Sequence, residues 1–280
     1  MASLLVTILD WVVFLWDQYW IWAKYLWCLL QWYAFESFPN ETDAWAKFRQ
    51  SVTVIGDDIA WGYGDSVGIG QIPGIATYLA KLLSKESSLR QSWRFHNRGY
   101  CGSTTRDWLP QSERKPGVKS LQLFDKTFAS KKIEESAAVI IALGLNDARP
   151  RSGEAPISPE ETLENLIAIV RVLRNKGMDV YVSTFPTMGD LKLDGKEVAE
   201  QNARRNELVQ EWLKNNQTEG VFVGPRLDSS NYEYRHPSLF YRDRYFSLKG
   251  YEKFSKDLVE IMLSHLVKRE FALFRKHLKM

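Results

Sequence analysis

The sequence predicts an α/β protein whose main domain is a parallel sheet covered by helices on both faces, preceded by an apolar helical segment. Three observations carry this expectation. Short β-branched runs alternate with stretches of helical spacing from residue 51 to residue 265, the pattern that favours a doubly covered parallel sheet. One of those runs, Ala137–Leu143 (AAVIIAL), is apolar throughout, as central parallel strands are. Six of the 11 Trp (Trp11, Trp16, Trp20, Trp22, Trp27 and Trp32) fall in the first 35 residues, which sets that segment apart.

Taken in order, Ser51–Ile55 is a short β-branched run that stops at Gly56, a buried-strand signature. Pro73 to Lys85 carries Ile75, Leu79, Leu82 and Leu83 at helical spacing, and Trp93–Asn97 reads as a second strand. Ala137–Leu143 is the third. Ser158 caps the next helix, Pro159 suits its first position and Glu161 completes a capping box. That helix runs to Asn175, with Gly177 as its stop. Asp179–Thr184 is the fourth strand, Val198–Leu213 a helix, Gly220–Val223 a fifth strand, and residues 247–268 a long last helix.

The expected domains are a hydrophobic membrane-associated helix (1–36), a polar linker (37–50), the α/β domain (51–265) and a basic helical tail (266–280). A length of 280 residues allows one domain of about 200–250 residues plus an extra segment. The net charge of +3 is too small to indicate a nucleic-acid partner. Cys28 and Cys101 are far apart, and none of the four histidines is paired at metal spacing. Neither a disulfide framework, a metal site nor a cofactor is expected.

From Ser3 to Phe35 no Pro or Gly interrupts an almost continuous apolar run. Ser3, Asp10, Asp17, Lys24 and Gln31 recur every seven residues, so a helix here carries one narrow polar stripe among Trp, Leu, Val and Ile. A secretory signal is disfavoured, since the run is long and lacks a basic start and a small-residue cleavage site. A spanning helix has the length, about 20 residues, but any such window contains Asp10, Asp17 or Lys24, and intramembrane charges face protein partners. An in-plane anchor, or a helix buried in a larger assembly, are the other readings. Each needs a partner surface, and Asp10, Asp17, Lys24, Trp11, Trp16, Trp20, Trp27 and Trp32 are the expected membrane or partner contacts.

Four stretches in the α/β region have a recognisable order. They are Val54-Ile-Gly-Asp-Asp-Ile-Ala-Trp-Gly-Tyr-Gly64, Asn97-Arg-Gly-Tyr-Cys-Gly-Ser-Thr-Thr105, Gly144-Leu-Asn-Asp147 and Asp243-Arg-Tyr-Phe-Ser-Leu-Lys-Gly-Tyr251. They resemble the strand-then-G-D-S opening, the N-x-G-x-x-G block, the G-x-N-D block and the D-x-x-H block of the SGNH (GDSL-type) hydrolase superfamily. The spacing is similar to that of small esterases of the isoamyl-acetate-hydrolysing type. The resemblance implies a three-layer, flavodoxin-like α/β/α sandwich with a five-stranded parallel sheet.

In active members a serine attacks an ester carbonyl, activated by a histidine and its aspartate. A block-two glycine N–H and the G-x-N-D asparagine hold the oxyanion. Transferred by position, Gly99, Asn146 and Asp243 are present, the serine position is Asp58, and the histidine position is Phe246. Counting back from Gly250 gives Tyr245 instead, whose hydroxyl has a pKa of about 10. The resemblance therefore implies a degenerate member, a pseudoenzyme.

Two residues offer a rescue. Ser66 lies in a literal Gly64-Asp65-Ser66, but no strand precedes it; His236 heads His236-Pro237-Ser238, outside the best match to the last block. The Asp58 carboxylate is expected to occupy the oxyanion hole on Asn146 and nearby N–H groups. Beyond Ser264, Lys268, Arg269, Arg275, Lys276 and Lys279 face a single acid, Glu270. This reads as a solvated helix end or a basic amphipathic helix for anionic lipid or an acidic partner.

The leading functional expectation is a structural accessory subunit of a larger membrane complex, of the respiratory-chain or ATP-synthase type, with the mitochondrial inner membrane favoured. The alternatives are a membrane-bound esterase or lipase with an unconventional nucleophile or base, and a module that binds a lipid or acyl group.

Overall fold

A computed structural model of the chain describes residues 49–65, 74–149, 154–186, 195–216, 219–232, 237–241 and 245–278, together with residues 8, 9, 11–13, 15, 16, 19, 20, 22, 23, 26 and 30. The chain divides into two compact units, Met1–Lys47 and Phe48–Met280.

In the second unit, β1 (Gln50–Gly56), β2 (Trp93–Asn97), β3 (Ala138–Ala142), β4 (Asp179–Val182) and β5 (Val221–Val223) form one parallel sheet in the order β2-β1-β3-β4-β5. The five strands expected from the sequence are these five, with ends shifted by one or two residues. The apolar run of β3 is explained by burial on both faces. Ala138, Ile140 and Ala142 join one core and Val139 and Ile141 the other, as a period of two requires.

Helices α1 (Asp58–Trp61) and α2 (Ile75–Leu83) follow β1, while α3 (Leu123–Phe128) and α4 (Lys131–Glu134) precede β3. Next come α5 (Pro159–Asn175), α6 (Gly195–Asn215) and, after a two-stranded antiparallel pair β6 (Phe240–Tyr241) and β7 (Tyr245–Phe246), the long α7 (Leu248–Leu278). Residues of α2 and α7 line the first core, and residues of α3, α5 and α6 the second, so the sheet is sandwiched as the alternation predicts.

The short α1, α3 and α4 were not legible, since four to six residues carry too little periodicity. Ser158 caps α5 by accepting from the Glu161 N–H at 3.1 Å. The Glu161 carboxylate does not serve the expected capping box. It takes a bidentate fork from Arg106, at 2.6 Å from Nε and 2.7 Å from NH2. A charge-assisted fork is the stronger interaction.

The last helix also differs from expectation. No boundary falls at 265/266: α7 continues to Leu278, with Leu266 and Glu270 buried. Glu270 accepts from the N–H groups of Arg90 (2.9 Å) and Gln91 (3.0 Å) and from Trp93 Nε1 (2.7 Å), which ties the helix to the entry of β2.

In the first unit, the described residues between Ile8 and Leu30 are helical, and Trp11, Trp16, Trp20 and Trp22 are exposed. Trp16 and Trp20 meet edge to face at 6.0 Å. Asp10, Asp17, Lys24, Trp27 and Trp32 lie outside the described residues. Among the described residues, no helix is long and apolar enough to cross a membrane.

Candidate functional site

The strand order reverses between β1 and β3, and crevices for ligands in open parallel sheets lie at the carboxyl ends of the strands at such a point. Here the loops after β1, β2 and β3 converge. Gly56 makes the convergence possible: its φ is +144°, and a Cβ there would lie 1.8 Å from the Ala142 carbonyl oxygen.

Asp57 and Asp58 leave β1 side by side, both buried. Asp57 is a bridge across the switch point. Its Oδ2 accepts from the N–H groups of Gly144 and Leu145, each at 2.9 Å, and its Oδ1 accepts from the Ile59 N–H at 3.2 Å as cap of α1. Burial, and then the neighbouring Asp58 charge, push its carboxyl up to about 8 against the pull of those three N–H groups. The residue therefore holds a proton across most of the neutral range.

Asp58 is turned toward the loops after β2 and β3. Its Oδ2 accepts from Asn146 Nδ2 and from the Gly102 N–H (3.2 Å), and its Oδ1 from the Cys101 thiol (2.8 Å). Asn146 Nδ2 also donates to the Ser103 carbonyl at 3.1 Å. The carboxylate thus sits on the kind of donors that would hold an oxyanion, and its own oxygens fill them.

One expected donor is corrected. The Gly99 N–H does not face Asp58; it donates to Asn97 Oδ1 at 2.9 Å. Gly99 is needed for another reason, because a Cβ there would lie 2.1 Å from the Trp61 nitrogen. The second block glycine, Gly102, with φ +73°, is the one whose N–H reaches the site. The sequence offered two glycines in the block, and only the turn of the loop selects between them.

Phe246, the position expected to match the histidine, is apolar core. Phe246 is fully buried, with ring centroids 5.4 Å from Phe240 and Tyr251 and 5.9 Å from Tyr232 and Phe254. Tyr245 is half-buried and packs on Tyr63 at 4.2 Å. Tyr251, which sequence reasoning passed over, donates its hydroxyl to the Tyr63 carbonyl at 3.0 Å. Burial first, then Asp65, Asp58 and Asp57, push that hydroxyl well above its ordinary value. Asp243, Ser66 and His236 lie outside the described residues.

Behind the site, buried Asp147 accepts from the Thr105 N–H (2.9 Å), Thr105 Oγ1 (2.6 Å) and Thr162 Oγ1 (2.7 Å). Arg205, equally buried, donates to Thr162 Oγ1 at 3.1 Å and to the Ile157 carbonyl. This network fixes the loop that presents Asn146. Among the described residues, no group of His, Cys, Asp and Glu is arranged to hold a metal ion.

Comparison with known proteins agrees with this fold. Solved structures similar to the chain include a lipase/acylhydrolase from Enterococcus faecalis, 17% identical with a TM-score of 0.54, covering 77% of this chain and 96% of that one. A catalytic mutant of an acetylxylan esterase from Geobacillus stearothermophilus is 15% identical with a TM-score of 0.55, covering 76% and 94%. An alpha/beta hydrolase enzyme from the metagenome of Lake Arreo, Spain, is 17% identical with a TM-score of 0.55, covering 76% and 94%. At such identities the likeness shows the fold. Among curated proteins, none matches the chain at a significant level. The profile of the GDSL-like lipase/acylhydrolase family matches residues 54–253, which spans the switch-point loops and all five strands but the start of β1. The chain belongs to the GDSL-like lipase/acylhydrolase family.

Proposed function

We propose that the chain is a non-catalytic member of this family that serves as a membrane-attached accessory subunit of a larger membrane complex, of the respiratory-chain or ATP-synthase type, at the mitochondrial inner membrane. The observation that carries the non-catalytic reading is the Asp58 carboxylate, bonded to Asn146 and Gly102 where an ester carbonyl would need those donors. Phe246, in the aromatic core, supplies no proton acceptor. The attachment reading is supported by the apolar run from Ser3 to Phe35 and by the exposed Trp11, Trp16, Trp20 and Trp22. Tryptophan suits a surface that is apolar on one side and wet on the other.

Hydrolysis of p-nitrophenyl acetate and butyrate by the purified full chain tests the first half, with Asp58→Ser and the double variant Asp58→Ser/Phe246→His beside it. Wild-type turnover should equal that of the heat-denatured protein. Turnover well above that blank would instead favour an esterase or lipase working through Ser66 or His236. Blue-native migration of detergent-extracted membranes tests the second half: a large assembly is expected, and a detergent-free monomer would overturn attachment. An acyl lipid co-purifying with the chain would favour a lipid-binding module in place of a structural role.

A further inference from the structure

Helix α7 outruns the domain it packs on. Its 31 residues span about 46 Å at 1.5 Å per residue. Glu270 is its last buried residue; from Phe271 to Leu278 every residue is exposed except the half-buried Leu273. The overhang is thus two turns of helix whose root is fixed, because Glu270 is bonded to Arg90, Gln91 and Trp93.

The exposed surface of those two turns is not that of an ordinary frayed end. Phe271, Phe274 and Leu278 are 63%, 45% and 48% exposed. At 3.6 residues per turn they share an arc of about 60°. Arg275 and Lys276 fall on the adjoining arc, and the Arg275 guanidinium lies 5.9 Å from the centre of the Phe271 ring. The only acid after Glu260, Glu270, is turned inward, so nothing acidic on the overhang offsets the cations. An apolar, largely aromatic ridge with a basic flank complements a surface that is anionic outside and apolar beneath.

We infer that the end of α7 docks on a bilayer bearing anionic lipids, the two Phe rings entering the headgroup boundary while Arg275 and Lys276 pair with lipid phosphates or carboxylates and the charge of Lys279, next in the sequence, adds to the attraction. The choice of a membrane over an acidic protein rests on the membrane attachment proposed above for residues 3–35. The two contacts differ in kind. The N-terminal segment is apolar and indifferent to lipid charge, whereas the end of α7 reads it.

Flotation of the full chain with vesicles separates them. Neutral phosphatidylcholine vesicles are compared with vesicles containing about a third phosphatidylserine, at low and high salt. The wild type should bind both, with a salt-sensitive preference for the anionic ones. Neutralising three charges in Arg275→Gln/Lys276→Gln/Lys279→Gln should lower that preference by about a hundredfold, at about fivefold per basic side chain near the surface. Binding to neutral vesicles should stay unchanged. Phe271→Ala/Phe274→Ala should weaken the anionic binding that persists in high salt. Phe271, Phe274, Arg275 and Lys276 are exposed, and circular dichroism on each variant checks that the fold is kept.

Equal binding to both vesicle types, unaffected by the triple variant, would overturn the inference and leave N-terminal attachment standing. Binding to anionic vesicles alone, lost in the triple variant, would support the inference and count against N-terminal attachment. Binding to neither would overturn both. Capture of an acidic protein through these same residues, with no vesicle preference, would also overturn it.

Discussion

Replacing Asp58 by Ala removes the acceptor on which three loops meet, and the cost can be worked from the contacts. Asn146 Nδ2 loses a charge-assisted bond but keeps the Ser103 carbonyl at 3.1 Å, and the Gly102 N–H loses its carboxylate. A hydrogen bond to a charged group contributes about 1.5–3 kcal/mol, and a donor left without acceptor costs about 1–3 kcal/mol. Against these stands the desolvation cost of keeping the buried Asp58 charge, which the substitution removes. The net loss should be about 2–4 kcal/mol. For a domain of this size that lowers the midpoint of thermal unfolding by roughly 5–15 °C. Asp58→Asn keeps an acceptor for Asn146 and Gly102 and should cost under about 1 kcal/mol. Thermal and urea unfolding of the two variants beside wild type measure the difference. An Asp58→Ala protein as stable as wild type, or more stable, would refute the view that this carboxylate holds the loops together.

Three further outcomes follow from the same geometry. Asp57, pushed up to about 8, holds a proton in the folded state that the unfolded chain loses near pH 4. Its contribution is therefore full below that pH and is lost as pH rises toward 8. Asp57→Asn, which mimics the protonated acid, should flatten the decline of the urea midpoint between pH 5 and 8; an unchanged slope would show that another group sets it. Phe246→Ala should cost about 3–5 kcal/mol by opening a cavity among Phe240, Tyr251 and Phe254, and a loss under about 1 kcal/mol would mean that the ring is not core. Glu270→Ala leaves the Arg90 and Gln91 amides and Trp93 Nε1 without their carboxylate. Those two amides should exchange with deuterium at least tenfold faster, as expected for a loss of about 1.4 kcal/mol in local protection.

The sequence by itself determined the layered fold, the order of the five strands along the chain, and the pairing of a carboxylate at position 58 with Asn146. These are local quantities: hydrophobic period, β-branched runs, a Ser-Pro helix start, and the order of short blocks. What the tertiary structure decided depends on the direction of groups that sequence spacing leaves free. The loop after β2 turns the Gly102 N–H, and not that of Gly99, toward Asp58. It also places Cys101 against the same carboxylate. Asp57, given no role by the sequence pattern, bridges β1 to the loop after β3, a contact that exists only because those strands are neighbours in the sheet. Phe246 faces the core because β7 pairs with β6 under α7. Glu161 prefers an arginine 55 positions away to its own helix cap. Glu270, lone acid of a basic tail, looked like a surface charge until the entry of β2 supplied its three donors. In each case the energy lies in a pairing between distant segments, which only the folded chain brings within hydrogen-bond reach.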